Sequence, residues 1–314
     1  MRRLIIPGML ALALALALAL SRGVMAAQGV TFGGPVGGTD IQSAYLPPEA
    51  GFYGSLIAVG AYGDRFYDNA GMSPTTSVRL PGGIAEFGLL YVYPQKLFGG
   101  TLASSVASGY SWGSITVNGK RQNFQGMNDI YTDVLMWSKH LGTIEGGRPR
   151  GLTMKLGYSM VLPTGKYDSA DLYSPGRHTY YYIPNGAFTY LTGPNFLGDG
   201  TEFSMSYFLD IAGKNSANGY KNGLVADVDV AVSEVVGRWQ LGVAGYYARQ
   251  LTDDKVNGER RSGNRFAGAA VGPVVSYNIP DCKCSVKFKA QFSVFTRNSL
   301  APNAAYLFFN KAFN

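Results

Sequence analysis

Gly109-Tyr110-Ser111-Trp112-Gly113 matches the G-x-S-x-G pattern that presents a nucleophilic serine. His140 and His178 are the histidines that could serve as its base. The chemistry would be acyl transfer, with the serine attacking an ester. That motif needs a strand–turn–helix setting with Asp and His following. Here it closes a Gly- and Ser-rich strand pattern, with His140 near the inner end of a later strand and His178 in a long loop. No catalytic residue is therefore expected. Thr164-Gly165-Lys166 lacks the earlier glycine of a phosphate loop. Asp253 and Asp254 fall in a polar loop and read as solvated, or as a weak cation contact. Cys282 and Cys284 are one residue apart. Export would permit a disulfide, but i and i+2 of a strand share a face, so a bridge there would be strained. They read as a free or loop-strained pair near a turn. No metal site is expected, because further ligands at suitable spacing are missing. No cofactor motif is present either.

The elements that must position any site come next. Residues 1–26 form an export signal. Arg2 and Arg3 give its positive start, Leu4 to Leu20 its apolar core, and Val24-Met25-Ala26 a small-x-small cleavage site. Its removal takes away Arg2, Arg3 and Arg22, and the formal net charge falls from +7 to +4. A nucleic-acid partner, which requires a basic stripe, is not expected. Residues 27–50 are a Gly- and Pro-rich lead, expected to lie on the periplasmic side. Residues 51–314 are expected to be the barrel described below.

Composition points to strands. Of 314 residues 42 are Gly, aromatics make up 13% and charged residues only 15%. A disordered chain would carry more charge and fewer aromatics. Period-two patterns recur. Phe203, Met205, Tyr207 and Leu209 alternate with Glu202, Ser204, Ser206 and Asp210, with Phe208 the one large apolar residue on the polar face. Val228, Val230 and Val232 alternate with Asp227, Asp229 and Ser233. Phe288, Ala290 and Phe292 alternate with Lys287, Lys289 and Gln291. Two unlike faces are the mark of a strand. The segments are longer than the usual ~5–6 residues of globular strands and suit the roughly 9–11 residues of a tilted membrane crossing.

Twelve strands are expected, at about 51–62, 84–94, 101–112, 128–140, 151–163, 180–191, 201–211, 222–234, 238–250, 264–279, 283–296 and 303–313. The fold class is thus all-β, a transmembrane antiparallel barrel. Alternate connections are long and polar (Gly63–Gly83, Gly113–Met127, Thr164–Thr179, Ala212–Lys221, Leu251–Gly263), and the others are mostly shorter. Outer-membrane barrels have this asymmetry, with long outer loops and short periplasmic turns. Trp239 and Tyr247 share a face eight residues apart, about 26 Å along a strand, which suits two interfacial aromatic belts.

Lipid offers the backbone no hydrogen-bond partner, so the sheet must close on itself. The apolar faces then meet outer-membrane lipid and the polar faces the lumen. Inward candidates are Glu86, Asp133, Lys155, Glu202, Asp210, Asp227, Asp229, Lys287 and Lys289. They either pair with one another in a partly filled barrel or line a water-filled pore; the sequence leaves both open. The loop Thr164–Thr179, with Tyr167, Asp168, Asp171, Tyr173 and His178, either folds inward as a constriction or stays exposed.

Tyr45-Leu46-Pro47-Pro48-Glu49-Ala50-Gly51-Phe52-Tyr53, Val161-Leu162-Pro163-Thr164-Gly165-Lys166-Tyr167-Asp168, the run from Leu241 to Asp254, and Gly272-Pro273-Val274-Val275-Ser276-Tyr277 occur in order. In these the chain resembles the outer-membrane family associated with the meta-pathway of phenol degradation, over nearly the whole mature length. The resemblance implies a barrel that passes small hydrophobic, often aromatic, compounds in the outer membrane of the Gram-negative envelope, and insertion by the barrel-assembly machinery. One departure is the end. Such barrels commonly finish on an aromatic residue, whereas here Phe313 is followed by Asn314. Two further readings stand beside the channel: a structural or surface-interaction barrel with a plugged lumen, and a lipid hydrolase using Ser111 and a histidine.

Overall fold

In the computed structural model, which describes residues 32–73 and 76–313, twelve long strands form the wall. They are β1 (Gly51–Gly63), β2 (Val78–Leu97), β3 (Gly100–Val117), β4 (Ile130–Glu145), β5 (Arg148–Leu162), β6 (Tyr181–Leu191), β7 (Gly200–Ala212), β8 (Val225–Val236), β9 (Trp239–Gln250), β10 (Ala267–Ile279), β11 (Cys284–Arg297) and β12 (Asn303–Ala312). Each pairs antiparallel with its chain neighbours, and β1 pairs with β12 from Tyr53↔Ala312 to Tyr62↔Asn303, closing the barrel. No sheet edge remains along the wall for lipid to meet. The export signal lies outside the described residues, as does Asn314. Phe313 is exposed, and its N–H donates to the Phe52 carbonyl at 3.0 Å, continuing the closing seam by one residue.

Alternation fixes which way each wall faces. On β7, Phe203, Met205 and Tyr207 are exposed while Glu202, Ser204, Ser206 and Asp210 are buried. On β8, Val228, Val230 and Val232 are exposed and Asp227, Asp229 and Ser233 are buried. Burial is thus inverted relative to a water-soluble sheet, as lipid on the outside requires. Phe208, the exception in the pattern, turns inward and packs with Val161, Tyr181, Ile183 and Ala212. The Trp239 and Tyr277 rings meet at 4.5 Å, tilted by 45°, at one end of the outer surface, and Tyr247 stands at the other end of β9.

The two barrel ends differ. At one end the connections are short. They include Gly146–Gly147, where both glycines have positive φ, so β4 and β5 are joined more tightly than their sequences suggested. The other end carries the long loops. The expected loop 113–127 is in fact a hairpin: β3 continues to Val117 and returns as strand Lys120–Met127. Asn118 and Gly119, both left-handed, make the turn, the pairing that a two-residue hairpin demands. Cys282 and Cys284 are disulfide-bonded across the short turn between β10 and β11. Left-handed Lys283 between them breaks the strand geometry that would have held the sulfurs apart.

Residues 32–50 depart from expectation. The lead does not lie on the periplasmic side of the barrel. It threads the lumen from the long-loop end, where Phe32 packs on Phe266 at 4.5 Å, to the short-turn end, where Leu46 packs against Val92, Ala103 and Met136. Its glycines suit this role because they present backbone N–H groups with little side-chain bulk. Gly37, at φ +64°, lies so close to the Tyr246 ring that a Cβ would sit 2.3 Å from it.

Candidate functional site

The lumen divides into two halves. The first is lined by β6 to β11 and is filled by the lead. Asp210 accepts N–H bonds from Gly33 and Gly34 at 2.8 and 2.7 Å. Asp229 accepts from Gly37 N–H, Thr39 N–H and Thr39 Oγ1 at 3.0, 2.8 and 2.6 Å. Glu202 accepts from Gln42 N–H at 2.7 Å, and the Gln42 side chain donates to Gln240. Asp40 is fully buried between two lysines, 2.5 Å from Lys287 Nζ and 3.1 Å from Lys289 Nζ. Lys289 also donates to the Gly37 carbonyl. Further along, Ala44 N–H donates to Thr189 and Ser138 donates to the Ala44 carbonyl. Most of the charged groups that would be costly to bury alone are thus satisfied by the lead's backbone and by Asp40, while both oxygens of buried Asp227 lack a hydrogen bond among the described residues.

The second half is open. A cavity of about 780 Å³ runs along β1 to β4 and the ends of β11 and β12. Its lining extends from Pro47, Lys283 and Lys311 at the short-turn end to Ser111, Asp129, Tyr173 and Arg177 at the long-loop end. Register explains its shape. Tyr53↔Leu90↔Ser105, Ser55↔Gly88↔Ala107 and Ile57↔Glu86↔Gly109 form successive rows across β1, β2 and β3. The inward positions of these strands are mostly small, so the wall recedes and leaves space.

The nine inward candidates therefore separate. Glu202, Asp210, Asp229, Lys287 and Lys289 hold the lead, and Asp227 is buried beside Asp229. Glu86 and Asp133 line the open cavity. Asp133 accepts from Ser105 and Ser159 at 2.5 and 2.6 Å and from Tyr131 at 3.3 Å, and Lys155 lies within its electrostatic reach.

The loop 163–180 folds over the mouth. Gly165 and Arg177 N–H groups both donate to Asp129, at 2.9 and 2.8 Å. Leu172 and Tyr173 pack on Val78, Ile115 and Val117 beside Phe66 and Leu300, and Tyr173 meets Phe124 at 4.4 Å. Of the five loop candidates, only Tyr173 lines the cavity. Tyr167 stacks on His178, Asp168 caps its own turn, and Asp171 accepts from Gln122. Burial raises the Tyr173 hydroxyl pKa above its ordinary value, with Arg177 opposing, so the loop tip presents a neutral phenol. Pro175 and Arg177 line the cavity too and carried no sequence signal of it.

The hydrolase residues are not assembled. Ser111 donates to Asn128 at 2.6 Å. Both His140 nitrogens bond elsewhere, to Thr153 and the Thr143 carbonyl near the short-turn end, and His178 bonds Ser216. Asp254, expected to be solvated, is instead fully buried. It accepts from Tyr220, Gly223 N–H, Gln250 and Asn264, tying the long loops together. Its neighbour Asp253 pairs with Arg265 and Arg260, and those two guanidiniums hold its carboxyl below the usual carboxylate range.

A closed barrel with an apolar exterior, aromatic belts and loops long at one end only is an outer-membrane barrel, seated in the Gram-negative outer membrane. The family model described as "Putative MetA-pathway of phenol degradation" matches residues 63–309, and the chain belongs to that family. A comparison with curated proteins gives no match. Among solved structures, the fold is similar to an outer membrane channel from Pseudomonas putida F1, with a TM-score of 0.72 and 13% identity, over 88% of this chain and 100% of that one. The transport unit of the autotransporter AIDA-I from Escherichia coli matches with a TM-score of 0.49 and 9% identity, over 88% of this chain and 93% of that one. The long loops are accordingly taken as extracellular and the short turns as periplasmic.

Proposed function

We propose that the protein is an outer-membrane channel that passes small hydrophobic or aromatic compounds through the open half of the lumen, beside the lead. The single observation that carries this reading is the cavity of about 780 Å³ whose lining reaches both barrel ends. The family's association with phenol degradation and the channel named in the Pseudomonas putida structure support it. Ser55, Ile57, Gly88, Leu90 and Ala107 offer a mildly apolar wall that does not compete strongly for water, which favours an uncharged aromatic over a polar sugar. Tyr173, packed on Phe124, and Arg177, held by Asp129, form the constriction at the outer mouth.

The lead gives a second reading its specific support, a structural barrel with a plugged lumen. Solute flux separates the two. Proteoliposomes containing the full chain are expected to take up phenol or cresol faster than empty vesicles and to show small, steady conductance steps in planar bilayers. A folded barrel with neither flux nor conductance would contradict the channel and leave the plugged barrel standing.

A further inference from the structure

Glu86 differs from the other carboxylates that line the open cavity, Asp129 and Asp133. Asp129 accepts N–H bonds from Gly165 and Arg177, and Asp227 is buried outside that cavity. Asp210, Asp229 and Glu202 are held by the lead, and Asp133 by two serines and a tyrosine. Glu86 lines the open cavity, and none of the described residues hydrogen-bonds or ion-pairs with it. Its surroundings explain this. The same-face partners across the sheet are Ile57 on β1 and Gly109 on β3, and along β2 they are Ile84 and Gly88. None carries a side-chain donor. A Cβ on Gly109 would approach Glu86 Cα and Cβ to 3.1 Å, so the bare glycine leaves the flank of the carboxylate uncovered.

A carboxylate set in an apolar frame keeps its charge only with a partner or with water. In this frame the partner must come along the passage. We propose that Glu86 is a cation subsite midway along the channel, taking a monovalent cation, either inorganic or the protonated amine of a small organic solute. The inference rests on the channel reading and deepens it. Rings of acidic side chains select cations in other pores; here one carboxylate is placed where the wall recedes. The basic groups Arg177, Lys283 and Lys311 stand at the two ends of the cavity, away from the Glu86 row.

The test uses the full chain and two readouts. In planar bilayers under a KCl gradient, the wild type is expected to prefer K⁺ over Cl⁻. Glu86→Gln is expected to lower that permeability ratio about fivefold, equivalent to about 1 kcal/mol. In detergent, calorimetric titration with benzylammonium chloride reads the site without conduction, and Glu86→Gln is expected to weaken binding by a similar factor. Ile57→Lys places an ammonium opposite an intact Glu86 and should abolish both effects without removing the carboxylate. Heat-modifiable gel mobility establishes that each variant is folded. If the barrel does not conduct but Glu86→Gln loses benzylammonium binding, the channel reading fails and the subsite stands. Unchanged benzylammonium affinity in Glu86→Gln, or an unchanged reversal potential in a conducting barrel, overturns the subsite.

Discussion

On the β6–β11 wall the inward positions carry Glu202, Asp210, Asp227, Asp229, Lys287 and Lys289, and the lumen in front of them is filled. On the β1–β3 wall the corresponding rows carry Ser55, Ile57, Gly88, Ala107 and Gly109 with the single carboxylate Glu86, and the lumen there is open. The difference follows from what each wall demands. Buried charges need partners, and a flexible segment rich in backbone N–H supplies them. Small, weakly polar residues need nothing and therefore attract nothing. Charge clustered on the β6–β11 wall thus marks where the lead binds, and its scarcity on β1–β3 marks where the lumen stays open.

The largest expected effect comes from removing the lead. Deleting residues 33–46 should raise single-channel conductance severalfold, because the charged half becomes a second, water-filled path. The same deletion should add cation preference, since it uncovers more carboxylates than lysines. Unchanged conductance in bilayers would place the ion path wholly in the open half.

Next is a block of the open half. Ala107→Trp fills the cavity at the Ser55 row, next to the Glu86 row, and should cut solute flux by about an order of magnitude, as expected when a narrow site loses its free volume. Retained flux in a liposome assay would move the passage elsewhere. A bulky change in the filled half, such as Ser204→Trp, should instead disturb the lead.

A smaller effect is expected on stability. Asp40→Asn leaves Lys289 fully buried without its carboxylate partner. Breaking a buried pair from one side costs about 3–5 kcal/mol. Part of that cost is recovered as the lead withdraws and water enters. The readout is proteolysis of the lead, faster in the variant, together with a lower melting temperature.

The smallest effect concerns the outer loops. Arg265 and Arg260 depress the Asp253 carboxyl. The depressed group contributes loop order that is fully present above the ordinary carboxylate pKa and is lost as pH falls through the lower, folded value. Loop cleavage, read with an acid protease at low pH and with a serine protease at neutral pH, should therefore rise only at strongly acidic pH in the wild type. In Asp253→Asn it should be already raised at neutral pH.

Much of this architecture was legible in the sequence. Alternation on β7, β8 and β11 gave both the strands and their lipid faces, because lipid-facing and lumen-facing side chains differ in polarity. Burial of Phe208 broke the pattern for a local reason, a cluster with Tyr181 and Ile183 under the outer rim. The hairpin at Asn118-Gly119 carried its own signal, which a strand count based on membrane-crossing length passed over. The lead was not legible. Its contacts are made by backbone N–H groups to side chains more than 140 residues away, and periodicity does not register such pairing. Its trace in the sequence is indirect: glycines Gly33, Gly34, Gly37 and Gly38 ahead of a barrel whose inward carboxylates exceed its inward lysines. For the same reason the inward candidates were found as a set without being sorted. Their shared face came from alternation, but their division into lead-holding and cavity-lining groups depends on the path of a segment outside the sheet.

The most direct test compares accessibility of the two halves in one experiment. Ser55→Cys stands on the open wall and Ser204→Cys on the filled one, and the native cysteines are bridged. A charged thiosulfonate reagent is added during bilayer recording. The account predicts rapid modification and a stepwise loss of conductance for Ser55→Cys, with Ser204→Cys unreactive while the lead is in place. Rapid block through Ser204→Cys with Ser55→Cys inert would contradict the division of the lumen on which the account rests.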